Sequence, residues 1–359
     1  MAKKNILFMG PLPPPVHGFS IINEKMLKLL EAESPVEIFD VRPPTMRFGS
    51  KVARSLRLLL IPFVAARFLI ACFSNKNASF YIGISGGSGQ VIDSLFLLTA
   101  RAFKIPTYIH HHSFAYINQI RWYNKIAFSI SRNQRHIVLC DSMRDALSEL
   151  YRINKSKISV ISNVAFMPAT PPPVSCKPPV VTLGYISNIS AQKGIFSFIE
   201  LIEKLNESGK EVSARIAGPL DNRIAGEFRQ RIQKSSNITY TGPVYDKEKA
   251  EFYKSLDILV FPTRYINEAE PLILWEGMAN GLAIISISRG CISCTIPQEA
   301  GVVARSPDDF PQVALAELET VISNPATLQA RQEAAYNHYC RCRNNSLSEL
   351  ERIIEEIAG

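Results

Sequence analysis

Between Asn267 and Gly281 the chain reads NEAEPLILWEGMANG. Two carboxylates, Glu268 and Glu276, bracket seven residues that hold a proline and an apolar run. The run predicts a helix over 272–279, with Pro271 suited to its first turn. Glu268 then stands just ahead of the helix, and Glu276 about a turn and a half inside it. The free N–H groups near Pro271, Leu272 and Ile273 attract phosphate. Carboxylates do the opposite: they accept hydrogen bonds from hydroxyls and so hold sugars. A sugar joined through a diphosphate to a ribose satisfies both, with one glutamate on the hexose and the other on the ribose. By spacing alone, the pair also reads as a solvated loop acid and an exposed helix acid.

Three further stretches carry candidate chemistry. In YIHHHSFAYI, three histidines follow one another at a strand end. An extended chain turns His110 and His112 to one side and His111 to the other. A metal site would need a further ligand, and none is evident. Contacts to a sugar or acceptor are the favoured reading, with His112 ahead of His110. GPLPPPVHGFS lacks the G-x-G-x-x-G spacing of a dinucleotide loop. Its prolines make a stiff connection, Gly18 precedes a helix expected from about Ser20, and the amides around His17 and Gly18 suit an acceptor or a departing phosphate; a plain strand–helix connection is the alternative. Lys193-Gly194, in QKG, follows a strand-like segment; read alone, Lys193 is a solvated first-turn lysine. No D-x-D triplet occurs. Cys291, Cys294, Cys340 and Cys342 have the wrong second spacing for a four-thiolate zinc site, so no metal is expected.

These residues need a scaffold. With 359 residues the chain is too long for one core, and two domains are expected. Short apolar strands alternate with helical patterns throughout, which points to parallel sheets with helices on both faces. MPATPPPVSCKPP, residues 167–179, holds six prolines and can form neither a helix nor a central strand. The expected organisation is a domain over 1–166, this linker, a second domain over 180–335, and a C-terminal helix over 336–359 that returns to the first domain. Ligands in such sheets sit at the carboxyl ends of the strands, so an interdomain cleft is the expected site.

Charge divides the chain in the same place. Residues 1–170 hold 21 Lys+Arg against 9 Asp+Glu, and residues 171–359 hold 19 against 23. The basic half suits an anionic partner. Leu56–Phe73 is long and apolar, but Arg57 and Arg67 interrupt it and Pro62 is expected to break it. With Arg47, Lys51, Arg54 and Arg57, the region 46–73 reads as helices lying on an anionic membrane surface rather than spanning it; ordinary core-facing helices are the alternative. No secretory signal precedes the first strand, so the cytoplasm is expected, at the inner face of the membrane. A nucleic-acid partner is not expected, because no aromatic-interleaved basic run occurs.

FPTRYINEAEPLILWEGMANGLAIIS resembles the E-x7-E segment of the retaining glycosyltransferases of family 4. GPLPPPVHGFS, YISNISAQKGIFSFIELI, RIAGPLDN and YTGPVYDKEKAEFYKSLDILVFP are similar to that family's other loops in the same order. The likeness is closest over 180–305 and looser before it. It implies the GT-B fold, two Rossmann-like α/β domains facing across a cleft, and metal-independent transfer of a hexose from a UDP- or GDP-sugar to a glycan, lipid-linked in cell-surface polysaccharide pathways. No cofactor is implied, since the nucleotide sugar is a co-substrate. In that likeness Glu276 holds the ribose, Glu268 the donor sugar, the N–H groups of Leu272 and Ile273 the diphosphate, and Lys193 the leaving phosphate. Gly194 allows a close backbone approach, and a histidine of 110–112 lies near the reacting sugar. Many relatives carry an arginine where this chain has Asn188. Asn188 can still donate hydrogen bonds to the donor, and Arg264 or Arg289 could supply the missing charge. A GT-B sugar-nucleotide epimerase and a non-catalytic partner subunit are the competing readings.

Overall fold

The computed structural model describes residues 4–14, 16–41, 50–171 and 180–359. The chain divides into two compact units, Met1–Phe166 with Asn345–Gly359, and Met167–Asn344. Most of the expected linker lies outside the described residues, as do the side chains of Arg47, Lys51, Arg54 and Arg57.

The first unit contains β1 (Ile6–Met9), α1 (Gly18–Glu33), β2 (Val36–Ile38), α2 (Ser50–Ser74), β3 (Ser79–Ile84), α3 (Gln90–Ala102), β4 (Thr107–His111), α4 (Ala115–Asn118), α5 (Trp122–Ser131), β5 (Arg135–Val138), α6 (Asp141–Tyr151) and β6 (Ile158–Val160). The sheet order is β2-β1-β3-β4-β5-β6, with every pairing parallel. The strands are continuous apolar runs because helices cover both faces of such a sheet. Strand order reverses between β1 and β3, and their carboxyl ends are a natural ligand edge.

The second unit repeats the plan with β7 (Val181–Ile186), α7 (Ile195–Glu207), β8 (Val212–Ala217), α8 (Ala225–Gln233), β9 (Ile238–Tyr240), α9 (Asp246–Lys254), β10 (Ile258–Phe261), α10 (Leu272–Ala279), β11 (Ala283–Ile287), α11 (Ile292–Thr295), β12 (Gly301–Ala304) and α12 (Phe310–Ser323). Its parallel order is β12-β11-β10-β7-β8-β9. The switch point falls between β7 and β10, which carry the loops to Lys193 and Glu268. A final helix, α13 (Pro325–Ala358), begins in this unit and ends in the first. There its last turns are tied down: Tyr108 donates to the Glu356 carbonyl at 3.0 Å, and Arg135 pairs with Glu356 at 2.9 Å.

Two sequence expectations need correction. Pro62 does not break α2, which runs through it. A mid-helix proline removes one hydrogen bond, but Val64, Phe68, Ala71 and Cys72 are buried on the inner face and hold the helix together. In α1, Gly18 is the first helical residue rather than a residue before the start. His17 is the cap: its Nδ1 accepts from the Ser20 amide at 3.1 Å, and Ser20 Oγ accepts from the His17 amide at 3.1 Å. An imidazole thus fills a role usually taken by a hydroxyl or carboxylate.

Candidate active site

In the second unit the loop after β7 is folded around Lys193. Ser190 accepts the Lys193 amide at 3.3 Å and caps a single 3-10 turn, Ala191–Lys193. Gly194 then turns left-handed at φ +81, and a Cβ there would lie 1.9 Å from the Pro262 carbonyl oxygen. The close approach that needs glycine is therefore to the chain's own loop after β10. The Arg264 amide donates to the Gln192 carbonyl at 2.8 Å, and Tyr185 donates to the Lys193 carbonyl at 3.1 Å. So fixed, Lys193 Nζ lies 2.5 Å from Glu268 Oε2, over the rings of Tyr265 and Phe261. Thr263 donates to the same oxygen at 3.2 Å. Oε1 has no partner among the described residues and remains available to a hydroxyl.

Pro271 is the N-cap of α10, with ψ at 123, and the helix covers 272–279 as the sequence predicts. No side chain caps this end, and the N–H groups of Leu272 and Ile273 find no partner among the described residues. Side chains on a helix lean toward its N-terminus, so Glu276 points back toward those groups. Its carboxylate is held on both oxygens: Lys249 Nζ lies 2.6 Å from Oε1, and Tyr253 donates to Oε2 at 2.7 Å. Burial, and then the Glu276 charge, push the Tyr253 phenol well above its ordinary range, so it stays a donor. The sequence reading assigned nothing to Lys249 or Tyr253. The available signal was their i, i+4 spacing on α9.

The other expected donor contacts divide. Asn188 is exposed in the loop after β7 and has no hydrogen-bond partner among the described residues. The Arg264 side chain is exposed. Arg289 is half-buried: its Nη1 donates to the Ser288 carbonyl at 3.1 Å, while its Nε is buried without a partner among the described residues. A Cβ at the neighbouring Gly290 would lie 2.2 Å from the Glu268 carbonyl oxygen. Both arginines thus lie near Glu268: the exposed Arg264 on the same loop, and the half-buried Arg289 on the loop packed against it.

In the first unit, His110 and His112 share a face, with ring centres 4.0 Å apart. Phe19, beside the cap His17, lies 4.6 Å from the His112 ring. The Nε2 atoms of both His110 and His112 are buried without partners among the described residues. His111 points the other way into a closed chain of hydrogen bonds. His136 Nε2 faces the Ser131 carbonyl at 3.0 Å, which can only accept. His136 Nδ1 must then accept from His111 Nε2 at 2.9 Å, and His111 Nδ1 must accept from the Tyr116 hydroxyl at 2.8 Å. Burial pulls all four imidazoles down, His110 to about 3 and His136 to about 4, so they are neutral. Among the described residues, no group of three His, Cys, Asp or Glu could hold a metal ion.

Two lysine–glutamate ion pairs thus stand beside an uncapped helix start, at the switch point of a doubly wound sheet. Residues 177–338 match the family described as "Glycosyl transferases group 1". That match spans most of the second unit, which carries a domain of that kind. The structure is similar to sucrose-phosphate synthase from Thermosynechococcus elongatus, with a TM-score of 0.73 at 13% identity over 99% of both chains. It is also similar to Anabaena HepE in complex with UDP and glucose, with a TM-score of 0.68 at 14% identity over 98% of both chains. A glycosyltransferase from Rickettsia africae gives 0.68 at 17% identity over 99% of both. The α/β fold is GT-B. No curated protein matches the chain in sequence.

Proposed function

We propose that the chain is a retaining, metal-independent hexosyltransferase that moves a sugar from a UDP- or GDP-sugar to a lipid-linked glycan in cell-surface polysaccharide synthesis, such as capsule or O-antigen. The observation that carries this reading is the pair of ion pairs, Lys193–Glu268 and Lys249–Glu276, flanking the uncapped start of α10. The ribose hydroxyls donate to Glu276, which keeps lone pairs beyond those used by Lys249 and Tyr253. The diphosphate meets the N–H groups of Leu272 and Ile273. A donor-sugar hydroxyl takes the free Oε1 of Glu268, and Lys193 swings its ammonium toward the leaving phosphate.

The bond from the anomeric carbon to the phosphate oxygen breaks as the acceptor oxygen bonds to that carbon. The acceptor proton passes to the departing phosphate. Negative charge grows on the phosphate as the sugar leaves, and a fixed cation beside it favours that state over the bound substrate. His110 and His112, neutral and with unpartnered ring nitrogens, suit sugar or acceptor oxygens rather than charge, and the loop at His17 and Gly18 belongs to the acceptor side. No resident cofactor enters the reaction; the nucleotide sugar is a co-substrate.

The acceptor reading is supported by the outer face of the first unit. Leu59, Phe63, Ile70 and Phe73 of α2 are exposed, as are Val91, Leu95 and Leu98 of α3 and Trp122 and Ile126 of α5. Helix α3 packs against both of the others. From 41 to 140 the sequence holds 13 Lys+Arg and one acid, Asp93, which is 3% exposed and bonded to the Ser85 amide. Apolar helix faces with cations and no exposed acid of their own suit an anionic lipid surface, although Glu37 pairs with Arg67 of α2 at 2.9 Å. Contact with the inner face of the membrane thus extends from 46–73 onto α3 and α5. Among the described residues no helix is long and apolar enough to cross a membrane.

Calorimetric titration with UDP and GDP tests the donor reading. Wild type binds one of them, and Glu276→Ala does not; no binding of either would sink it. Co-sedimentation tests the membrane reading. The protein follows phosphatidylcholine vesicles only when phosphatidylglycerol is present, and the double variant Leu98→Asp, Ile126→Asp stays in solution. Equal sedimentation of wild type and the double variant would remove α3 and α5 from the contact.

A further inference from the structure

Behind His110 stands a buried polar arrangement that the donor site does not use. Gly10, after β1, and Gly83, in β3, leave a slot between them. A Cβ at Gly83 would lie 2.7 Å from Asn23 Oδ1, and one at Gly10 would lie 3.0 Å from Asn23 Nδ2. Both glycines therefore make room for one carboxamide from α1. Asn23 is fully buried, and its Nδ2 donates to the Pro11 carbonyl at 3.2 Å, which fixes the orientation of the amide. Its Oδ1 faces the Tyr81 hydroxyl at 3.5 Å, and that hydroxyl lies 2.6 Å from His110 Nδ1.

A phenol has one proton to give, so only two arrangements exist while both rings are neutral. Tyr81 donates to His110 Nδ1, which leaves the imidazole proton on Nε2. Otherwise Tyr81 donates to Asn23 and accepts from Nδ1–H, which leaves a lone pair on Nε2. The separations decide: 2.6 Å is a strong O–H···N distance, and 3.5 Å is at the limit of a hydrogen bond. The neighbouring histidine shows the same device with its proton fixed independently, since the chain ending at the Ser131 carbonyl forces Tyr116 to donate to His111 Nδ1.

We propose that Tyr81, seated by Asn23, holds His110 as the Nε2–H tautomer, so that His110 presents a hydrogen-bond donor, and not a base, to an oxygen of the ligand bound at this face. Tyr81 and Asn23 are positioning residues. They act through His110, whose Nε2 is buried and has no partner among the described residues. Only the identity of the ligand, a sugar or its acceptor, rests on the transferase reading. The tautomer itself does not. Its consequence for that reading is definite: His110 cannot remove the acceptor proton, which is left to the departing phosphate.

The test uses the full chain labelled with 15N in its imidazole rings and long-range 1H–15N correlation at about pH 7.5, above the ordinary imidazole range. His110 is assigned by the signals lost in His110→Gln. The expected spectrum has a protonated Nε2 and an acceptor Nδ1 at His110. In Tyr81→Phe, whose ring keeps its stacking on Phe8, the His110 signals move toward a mixture of tautomers. With substrates in hand, turnover falls about tenfold, the worth of one such hydrogen bond, while nucleotide affinity is unchanged. A wild-type spectrum with the proton on Nδ1 would overturn the proposal without any variant. Unchanged His110 signals in Tyr81→Phe would overturn it as well. Neither result depends on donor binding, so a failure here is distinct from a failure of the transferase reading.

Discussion

The two units handle polar chemistry in opposite ways. In the second, each carboxylate is matched by an ammonium: Glu268 by Lys193 and Glu276 by Lys249, all partly open to solvent. In the first, four imidazoles and the hydroxyls of Tyr81 and Tyr116 are buried, with no carboxylate hydrogen-bonded to them among the described residues, and each imidazole is kept neutral by burial. Paired charges can be re-paired, so the second site can exchange an internal partner for a phosphate or a hydroxyl. Neutral tautomers can only donate or accept along fixed directions, so the first can select orientation but cannot take up charge. This is the division expected between a site that accommodates a leaving diphosphate and one that orients sugar oxygens.

The largest effect should follow from breaking the pairing at Glu276. Glu276→Ala removes the proposed ribose acceptor and strands Lys249 and the buried Tyr253 hydroxyl. Hydrogen bonds to a charged group are worth roughly 1.5–3 kcal/mol each, so nucleoside and nucleoside diphosphate affinity should both fall by about a hundredfold or more. Calorimetry reads this directly, and near-normal nucleoside binding would remove Glu276 from the ribose. Lys193→Ala should act differently. It leaves nucleoside affinity intact but lowers kcat by about 10²–10³, the usual loss when one electrostatic stabiliser is deleted. If kcat holds and only KM rises, Lys193 binds the ground state and does not stabilise the leaving group.

These contrasts also explain what could be read from the chain. The spacing of Glu268 and Glu276 was legible because a proline and an apolar run mark a helix start locally. The shared face of His110 and His112 was legible because a strand alternates with period two. What pairs with these residues was not. Lys249 lies 27 residues from Glu276, Tyr253 lies 23 away, and Tyr81 lies 29 from His110. No periodicity encodes such a distance; only the sheet order brings the partners together. The edge strands β6 and β12 escaped for a related reason. ISV and GVVA are short and partly exposed, and their pairing comes from the neighbouring strand. Pro62 misled in the opposite direction, since propensity forecast a break that packing overrode.

A mutation in the scaffold of the second site should have an intermediate effect, and on stability rather than binding. Gly194→Ala places a methyl group 1.9 Å from the Pro262 carbonyl oxygen at a left-handed φ. The loop after β7 must then move away from that after β10. A strained position of this kind costs about 1–3 kcal/mol, which urea denaturation would register as a lower midpoint. Because the same contact sets Lys193 opposite Glu268, kcat should fall with it. An unchanged midpoint would mean that the two loops are not pressed together in solution.

The smallest effect belongs to the first unit, and it is one that pairing of charges would not produce. Each buried imidazole takes up its proton less readily in the folded chain than in the unfolded chain, where the ordinary value is near 6.5. As pH falls below that value, the unfolded chain binds protons that the folded chain refuses. Stability is therefore complete above about 6.5 and is lost as pH falls toward about 4 for His136 and about 3 for His110. Each such group contributes a slope of up to about 1.4 kcal/mol per pH unit within its window. His136→Gln removes one titrating ring while keeping an amide able to face Ser131 and His111. Its melting temperature should lie below that of wild type at pH 7.5, where the native hydrogen-bond chain is intact, and the gap should narrow by pH 5. A gap that stays constant with pH would show that His136 is protonated alike in the folded and unfolded chain, and that the first unit holds its histidines by something other than burial.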